Sequence, residues 1–449
     1  MGYAENGDDQ PQSSKIIESQ GSLMEQYIET IIVGGGQHGL STSYCLKNHG
    51  YENVIFEKAP WAADAWRNRW DSFTLVTPNW MIQLPGAEYQ GDQPDAFMDR
   101  EQVVAYFEAY TKRYNLPVRY GVEVFSVEQY QDGFLVKTSQ GDFRSANVVI
   151  AVGFYQQPRM PDFSKNCAPY IHQIHSAHYR NSEMLPAGPV LVVGSAQSGS
   201  QIAEELNESG RKIYLSVSTT GRFPRRYRGV DATMWMQKMG YFERTVDQLP
   251  STQARFAASA HGTGKNGGHT INLHQFARDG ITLFGRLRNI EGSHAYLAPD
   301  LHDNLAKADQ FELGFVQEID QYIQQNGLDV PEETLPLLTD GFAQDQILEL
   351  DLKAAGIRNI VWATGYSRDF SWVRMPVFDS DGLPVHERGV TPITGLYFNG
   401  MPFLHSGKSG LLYGAAEDAA FIAETIDVNK NKIGKIISEN NIQYSHRIN

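Results

Sequence analysis

Two short, unbroken apolar runs stand out along the chain, at residues 28–34 and 190–194, each followed by a glycine-punctuated turn and a helix-patterned stretch. The pattern predicts a buried strand over 28–34, a helix over 37–49 and a strand over 54–57. It repeats as a strand over 190–194, a helix over 197–209 and a strand over 212–218. Gly34 to Gly50 and Gly194 to Gly210 are both 16 steps, so the copies match in length as well as in pattern. Strand, turn, helix and strand within about 30 residues is the layout of a dinucleotide-binding unit. Between the copies, FLVKT at 134–138 alternates like a half-buried strand. Residues 229–300 read as loop-rich. A helix is expected over 301–326, with Phe311, Phe315, Ile319, Tyr322 and Ile323 on one packing stripe. Another is expected over 410–425.

The turns carry the chemistry. In the first copy Gly34 permits the tight turn, Gly36 lets a pyrophosphate approach the backbone, and Gly39 lets helix and strand pack closely. The helix N-terminus offers free N–H donors and a positive dipole end to phosphates. Glu57, 23 residues past Gly34, ends the next strand, where a carboxylate accepts from ribose hydroxyls. A free 2′-OH follows, meaning FAD or NAD. In the second copy the same count from Gly194 reaches Val217, between Ser216 and Ser218, with no acid. Just beyond, GRFPRRYRG supplies Arg222, Arg225, Arg226 and Arg228. Guanidinium forks suit a 2′-phosphate, which a carboxylate would repel, so this site is expected to take NADPH. Ala196 stands where the first copy has Gly36, narrowing the phosphate approach as suits a dinucleotide that comes and goes. The glycine-rich GTGKNGG at 262–268 is not a phosphate loop, because Ser259 and Asn266 occupy positions that need Gly and Ser or Thr.

Composition removes whole classes of function. At 449 residues two or three domains are expected. A net charge of -14 argues against nucleic acid or an anionic membrane surface as partner. No apolar run approaches the roughly 20 residues of a membrane span. The N-terminus is polar and acidic, unlike a signal or transit peptide, and Asn6 breaks a myristoylation motif. Only Cys45 and Cys167 occur, far apart and in no C-x-x-C pair, which fits a reducing cytoplasm and excludes a dithiol centre. The 13 histidines form no H-E-x-x-H or Cys/His cluster, so no metal is expected.

The two glycine turns, AVG at 151–153 and ATG at 363–365 together resemble the class B flavoprotein monooxygenases, single chains that hold FAD and NADPH. The likeness is greatest to bacterial flavoproteins encoded beside a nitrilase. It is carried by RWDSFTLVTPNWMIQLPG at 69–86, HSAHYRN at 175–181, RRYRG at 225–229 and SGLLYGAAEDAA at 409–420, and it runs from about residue 27 to 427. The resemblance implies an α/β fold of two Rossmann-like dinucleotide-binding domains. A glutathione-reductase-like FAD domain at 27–183 and 345–427 would carry an inserted NADPH domain at 184–344. A flexible arm (1–26) and a polar tail (428–449) would flank them. It carries Gly34, Gly36, Gly39, Glu57, Trp66, Arg67 and Asp418 over to FAD. Gly194, Ser198 and Gly199 go to NADPH, and Thr364 and Gly365 to the second strand end. Asn79 matches an asparagine near the flavin edge, and His175 is placed at the cofactors in the hinge; these two are the candidate catalytic residues. Pro169 and Ile171 break the Baeyer–Villiger motif that His175 and Tyr179 otherwise keep.

The reaction so implied is NADPH-dependent monooxygenation. NADPH reduces FAD, dioxygen forms a C4a-peroxyflavin, and one oxygen atom passes to a small organic substrate at nitrogen, sulfur or carbon. Two other readings stay open: an NADPH oxidase or dehydrogenase without oxygen transfer, and a flavin-bound partner protein that does not turn over. The substrate and the oligomeric state are not written in the sequence.

Overall fold

A computed structural model of the protein describes residues 26–256 and 260–445; the arm expected before residue 27 lies outside the described residues but for its last position. The chain first forms β1 (Thr30–Val33), α1 (Gln37–Asn48), β2 (Asn53–Glu57), α2 (Arg100–Arg113), β3 (Val118–Tyr120) and β4 (Asn147–Ile150). A second unit follows: β5 (His172–His175), β6 (Val190–Val193), α3 (Gln197–Glu208), β7 (Ile213–Ser216), β8 (Thr282–Phe284), α4 (Leu301–Asn326) and β9 (Asn359–Trp362). The chain then returns as β10 (Leu396–Phe398) and α5 (Ala415–Ser445).

Each unit is built on a five-stranded parallel sheet, in the orders β10-β4-β1-β2-β3 and β5-β9-β6-β7-β8. Parallel sheets of this kind are covered on both faces, so their strands read as continuous apolar runs and do not alternate. Every residue of β1 and of β6 is accordingly buried. The first copy of the repeat is the centre of one sheet and the second copy the centre of the other.

The sheets move the expected boundaries. β5 and β9 hydrogen-bond within the second sheet, although both fall outside 184–344. The two connections between units pair with each other as a short antiparallel ribbon, Gln157–Pro158 against Tyr366–Ser367. The inserted unit therefore spans roughly residues 159–365. Its outer strands come from segments flanking the repeat, where no glycine turn marks them.

Two helices refine the reading further. α4 has the expected bounds, and Phe315 and Ile319 are buried with Phe223, Tyr227 and Trp235. Phe311 departs from the stripe: it is half exposed, with its ring laid against Gly221. α5 begins at Ala415, not at 410, because Gly410 adopts φ +86° and opens a turn. Its backbone runs on to Ser445, so most of the expected tail continues the helix. Among the described residues no helix is long and apolar enough to cross a membrane.

Candidate functional site

The two glycine turns are built alike, atom for atom. The Gly34 N–H donates to the Phe56 carbonyl at 2.8 Å, and the Gly194 N–H to the Ser216 carbonyl at 3.1 Å. Both glycines have left-handed backbones, φ +108° and +99°, and a β-carbon on either would lie 2.6 Å from a carbonyl oxygen, of Ala151 or of Ala363. These alanines begin AVG and ATG, which explains why the two tripeptides accompany the turns. The third glycines are equally constrained. A β-carbon at Gly39 would come within 1.9 Å of the Gly34 oxygen, and one at Gly199 within 1.8 Å of the Gly194 oxygen. Only glycine lets the helix sit this close to the strand.

What the turns leave open matters as much. No side chain caps α1 at Gly36 or α3 at Ala196, whereas α2 is capped reciprocally by Asp99 and Gln102. Bare N-termini next to glycine turns are what a pyrophosphate needs: unpaired N–H donors and the positive end of a helix dipole. The space beside Gly36 is empty to 4 Å, and Ala196 adopts nearly the same backbone, so its methyl takes up room in the matching place.

The ends of the second strands differ. Glu57 accepts from the Gly35 N–H at 2.6 Å and from the Ala59 N–H at 2.8 Å, which fixes its carboxylate beside the turn. In the second unit Ser195 replaces Gly35 and exchanges hydrogen bonds with the backbone of Ser218. A hydroxyl thus bonds the backbone at the turn where the first unit uses a carboxylate. Beyond Glu57 an open recess of about 560 Å³ is lined by Pro60, Trp61, Ala62, Arg67, Glu108 and Tyr120. Arg67 lines this recess, paired with Glu108, and Trp66 packs half buried between Phe73 and Phe107.

The expected phosphate arginines are engaged elsewhere. Arg222 is buried and donates to Asp309 at 2.7 Å and Glu312 at 2.6 Å, both on α4. Arg225 is buried against Asp231 and the Val76 carbonyl, with its guanidinium over the Phe97 ring. Arg226, though exposed, donates to the carbonyls of Gly267 and Gly268, and Arg228 pairs with Asp320. Arg222, Arg226 and Arg228 tie the second unit together and Arg225 also ties it to the first; the assignment of Arg222 and Arg225 to a 2′-phosphate is corrected. The missing acid at Val217 and the run of arginines suggested it, while the partners of Arg222 lie about 90 residues further along the chain and Val76, a partner of Arg225, lies well before it.

His175 is corrected too. Its Nε2 donates to the Gly365 carbonyl at 3.0 Å and its Nδ1 accepts from the Ala177 N–H at 3.1 Å. Burial lowers its pKa, so the neutral ring is spent on two backbone groups and leaves nothing for catalysis. It pins Gly365 (φ +77°), whose carbonyl also accepts from the Arg159 N–H, while the Thr364 hydroxyl donates to the Arg159 carbonyl. The hinge ribbon and the second strand end are thereby locked together.

Several buried polar atoms lack hydrogen-bond partners among the described residues. The Asn79 Nδ2 donates to the Gln93 carbonyl at 3.0 Å, but its Oδ1 is unpaired, as is Oδ2 of Asp418. Burial pushes the Asp418 carboxyl above its usual range against the pull of Ser409. His38 packs on Gly400, and its Nδ1 also has no partner. Unpaired buried groups are costly unless something else satisfies them. Two glutamines escaped the sequence reading. Gln37 and Gln197 each open a turn helix, and each donates to a glycine carbonyl of a crossing segment, Gly410 or Gly262. Their shared place in the two copies was the signal.

Buried neutral histidines give the fold an acid limit. Burial lowers His38, His261 and His386 from 6.5 to about 4. Each contributes stability that is full above the unfolded value near 6.5 and is lost as pH falls toward 4, on the order of 3 kcal/mol per group. Urea unfolding at pH 7.5, 6 and 5 should show a progressive fall in this window; a flat profile down to pH 4.5 would contradict the burial.

Two crevices of this build define a two-dinucleotide oxidoreductase. The sequence profile of the pyridine nucleotide-disulphide oxidoreductases matches residues 31–260, and the chain belongs to that family. The chain is 29% identical to an uncharacterized CzcO-like oxidoreductase of Geobacillus kaustophilus, over 90% of this chain and 99% of the relative. Its fold is similar to that of a flavin-containing monooxygenase from Stenotrophomonas maltophilia (TM-score 0.62, 18% identity, 90% of this chain and 99% of the other). It is also similar to an ornithine N-hydroxylase of Kutzneria sp. 744 (TM-score 0.59, 15% identity, 90% and 100%).

Proposed function

We propose that the protein is an NADPH-dependent flavin monooxygenase acting on a small organic substrate at nitrogen, sulfur or carbon. The observation that carries this reading is the state of the two cysteines. A disulfide reductase needs a thiolate near the flavin, yet Cys45 is buried with its thiol pushed up to about 12, and Cys167 is pushed up to about 11. The two are unpaired, and neither is poised to attack a disulfide. With no dithiol to receive electrons, dioxygen is the simplest acceptor. The likeness in fold to the Stenotrophomonas flavin-containing monooxygenase and the Kutzneria ornithine N-hydroxylase supports the same reading.

The roles of this chain's residues follow from the geometry. Gly36 and the bare start of α1 would cradle the FAD pyrophosphate, Glu57 would accept from its ribose, and Arg67 would border its adenosine. Asp418 and Asn79 would offer their unpaired oxygens to donors of the bound flavin. Ala196 and the start of α3, with Ser198 in its first turn, would take the NADPH pyrophosphate. Reduced flavin supplies the electrons that activate dioxygen. The protein's part is to exclude water, and segment 241–245 serves this by closing on the loop before α5. There Thr245 bridges to Ser406, and the Gly407 N–H donates to the Arg244 carbonyl at 2.9 Å. Trp80, Phe242 and Tyr413 form an aromatic wall at that junction.

The test is a screen for compounds that accelerate NADPH consumption under ¹⁸O₂. A true substrate should yield product carrying one ¹⁸O atom. Consumption that no compound changes, with all oxygen recovered as hydrogen peroxide, would establish an oxidase instead.

A further inference from the structure

The stretch GTGKNGG at 262–268 is wedged between the two units. On one side it follows a single face of α3. Gln197 Nε2 donates to the Gly262 carbonyl while its Oε1 accepts from the Gly262 N–H at 3.3 Å. Further down the face, Gln201 donates to Thr263 at 3.2 Å, His269 meets Glu204 at 2.7 Å and Lys265 pairs with Glu208. The spacing 197, 201, 204, 208 is that of one helical stripe. Just before it, the His261 ring bonds the carbonyl of Ser195, inside the second glycine turn.

The other side presses on the first unit. A β-carbon at Gly262 would lie 3.2 Å from Val76, at Gly264 2.1 Å from the Leu75 carbonyl oxygen, and at Gly268 2.9 Å from the Phe97 ring. Arg225 reinforces the contact by donating to the Val76 carbonyl at 2.7 Å. Gly264 is therefore required by thickness, because a methyl there has no room against the Leu75 carbonyl and the Phe97 ring, whereas Gly267 borders open space.

We propose that residues 261–269 are an interdomain wedge that sets the spacing between the NADPH turn and the flavin-side segment 75–79, with Gly264 as a positioning residue for reduction of FAD. This rests on the reading that NADPH reduces FAD: the hydride that leaves NADPH, giving NADP⁺, arrives on FAD with its electron pair. Transfer of this kind tolerates little displacement, and an ångström can cost on the order of a hundredfold.

Gly264→Ala tests the wedge, with Gly314→Ala, in open space on α4, as control. Hydrogen exchange of flavin-free protein should speed up in 75–79 and 262–268 but not in the control. In flavin-loaded protein, anaerobic reduction by NADPH should slow at least about tenfold. Reaction of the dithionite-reduced enzyme with oxygen should stay within about twofold of the parent. If the alanine variant does not fold, Gln201→Leu, which removes the bond to Thr263 one turn inside α3 without adding bulk, should give the same split. Unchanged reduction, or reduction and reoxidation falling together, overturns the wedge. A parent enzyme that NADPH does not reduce overturns the proposed function instead, and hydrogen exchange still judges the wedge.

Discussion

Gly39→Ala should give a colourless protein, while Gly199→Ala should remain yellow and lose its response to NADPH. Each methyl would sit under 2 Å from the carbonyl of the first glycine in its own turn, so helix and strand must part. Overpacking at such a contact costs about 1–3 kcal/mol, which corresponds to roughly a tenfold to hundredfold loss of affinity where the helix N-terminus holds the ligand. Flavin content after purification and the Michaelis constant for NADPH read the two sites separately. Loss of flavin in both variants, or in neither, would contradict the assignment of one dinucleotide to each turn.

The second large effect concerns Arg222. Removing its guanidinium would leave Glu312 without its ion-pair partner beside Asp309, which would keep only its bond with His274, in a largely buried site. Breaking a buried pair in this way costs about 3–5 kcal/mol. Arg222→Ala should therefore lower the unfolding midpoint in urea sharply, and should not shift the preference for NADPH over NADH. Arg226→Ala, at an exposed position, should do neither to more than about 0.5 kcal/mol. An Arg222→Ala variant of full stability, with weakened NADPH binding and unchanged NADH binding, would restore the phosphate role that the segment's charge first suggested.

The contrast between these two predictions marks how far the sequence could be read. Gly39 and Gly199 were legible because their reason is local, a helix packed on a strand within a few residues, and Gly34 and Gly194 because the turn needs their left-handed backbone, although their close contacts with Ala151 and Ala363 are distant in sequence. Glu57 was legible for the same reason, at a fixed count from Gly34. The arginines were not, since Asp309 and Glu312 reach Arg222 only through the packing of α4 on the second unit. β5 and β9 escaped in the same way, joining the second sheet from beyond the repeat. The stretch 262–268 was recognised as something other than a phosphate loop, yet its use of glycine depends on Leu75 and Phe97, almost 200 positions earlier. His175 was placed correctly at the hinge, but a residue name does not reveal that both ring nitrogens are spent on backbone groups.

The central claim is that one crevice keeps FAD and its twin admits NADPH to reduce it. Anaerobic titration of the purified, FAD-reconstituted protein with NADPH measures this directly, through the visible absorbance of the flavin. About one equivalent of NADPH per chain should bleach the yellow colour completely. A protein that takes up no FAD, or one whose bound flavin stays yellow through excess NADPH, would contradict it.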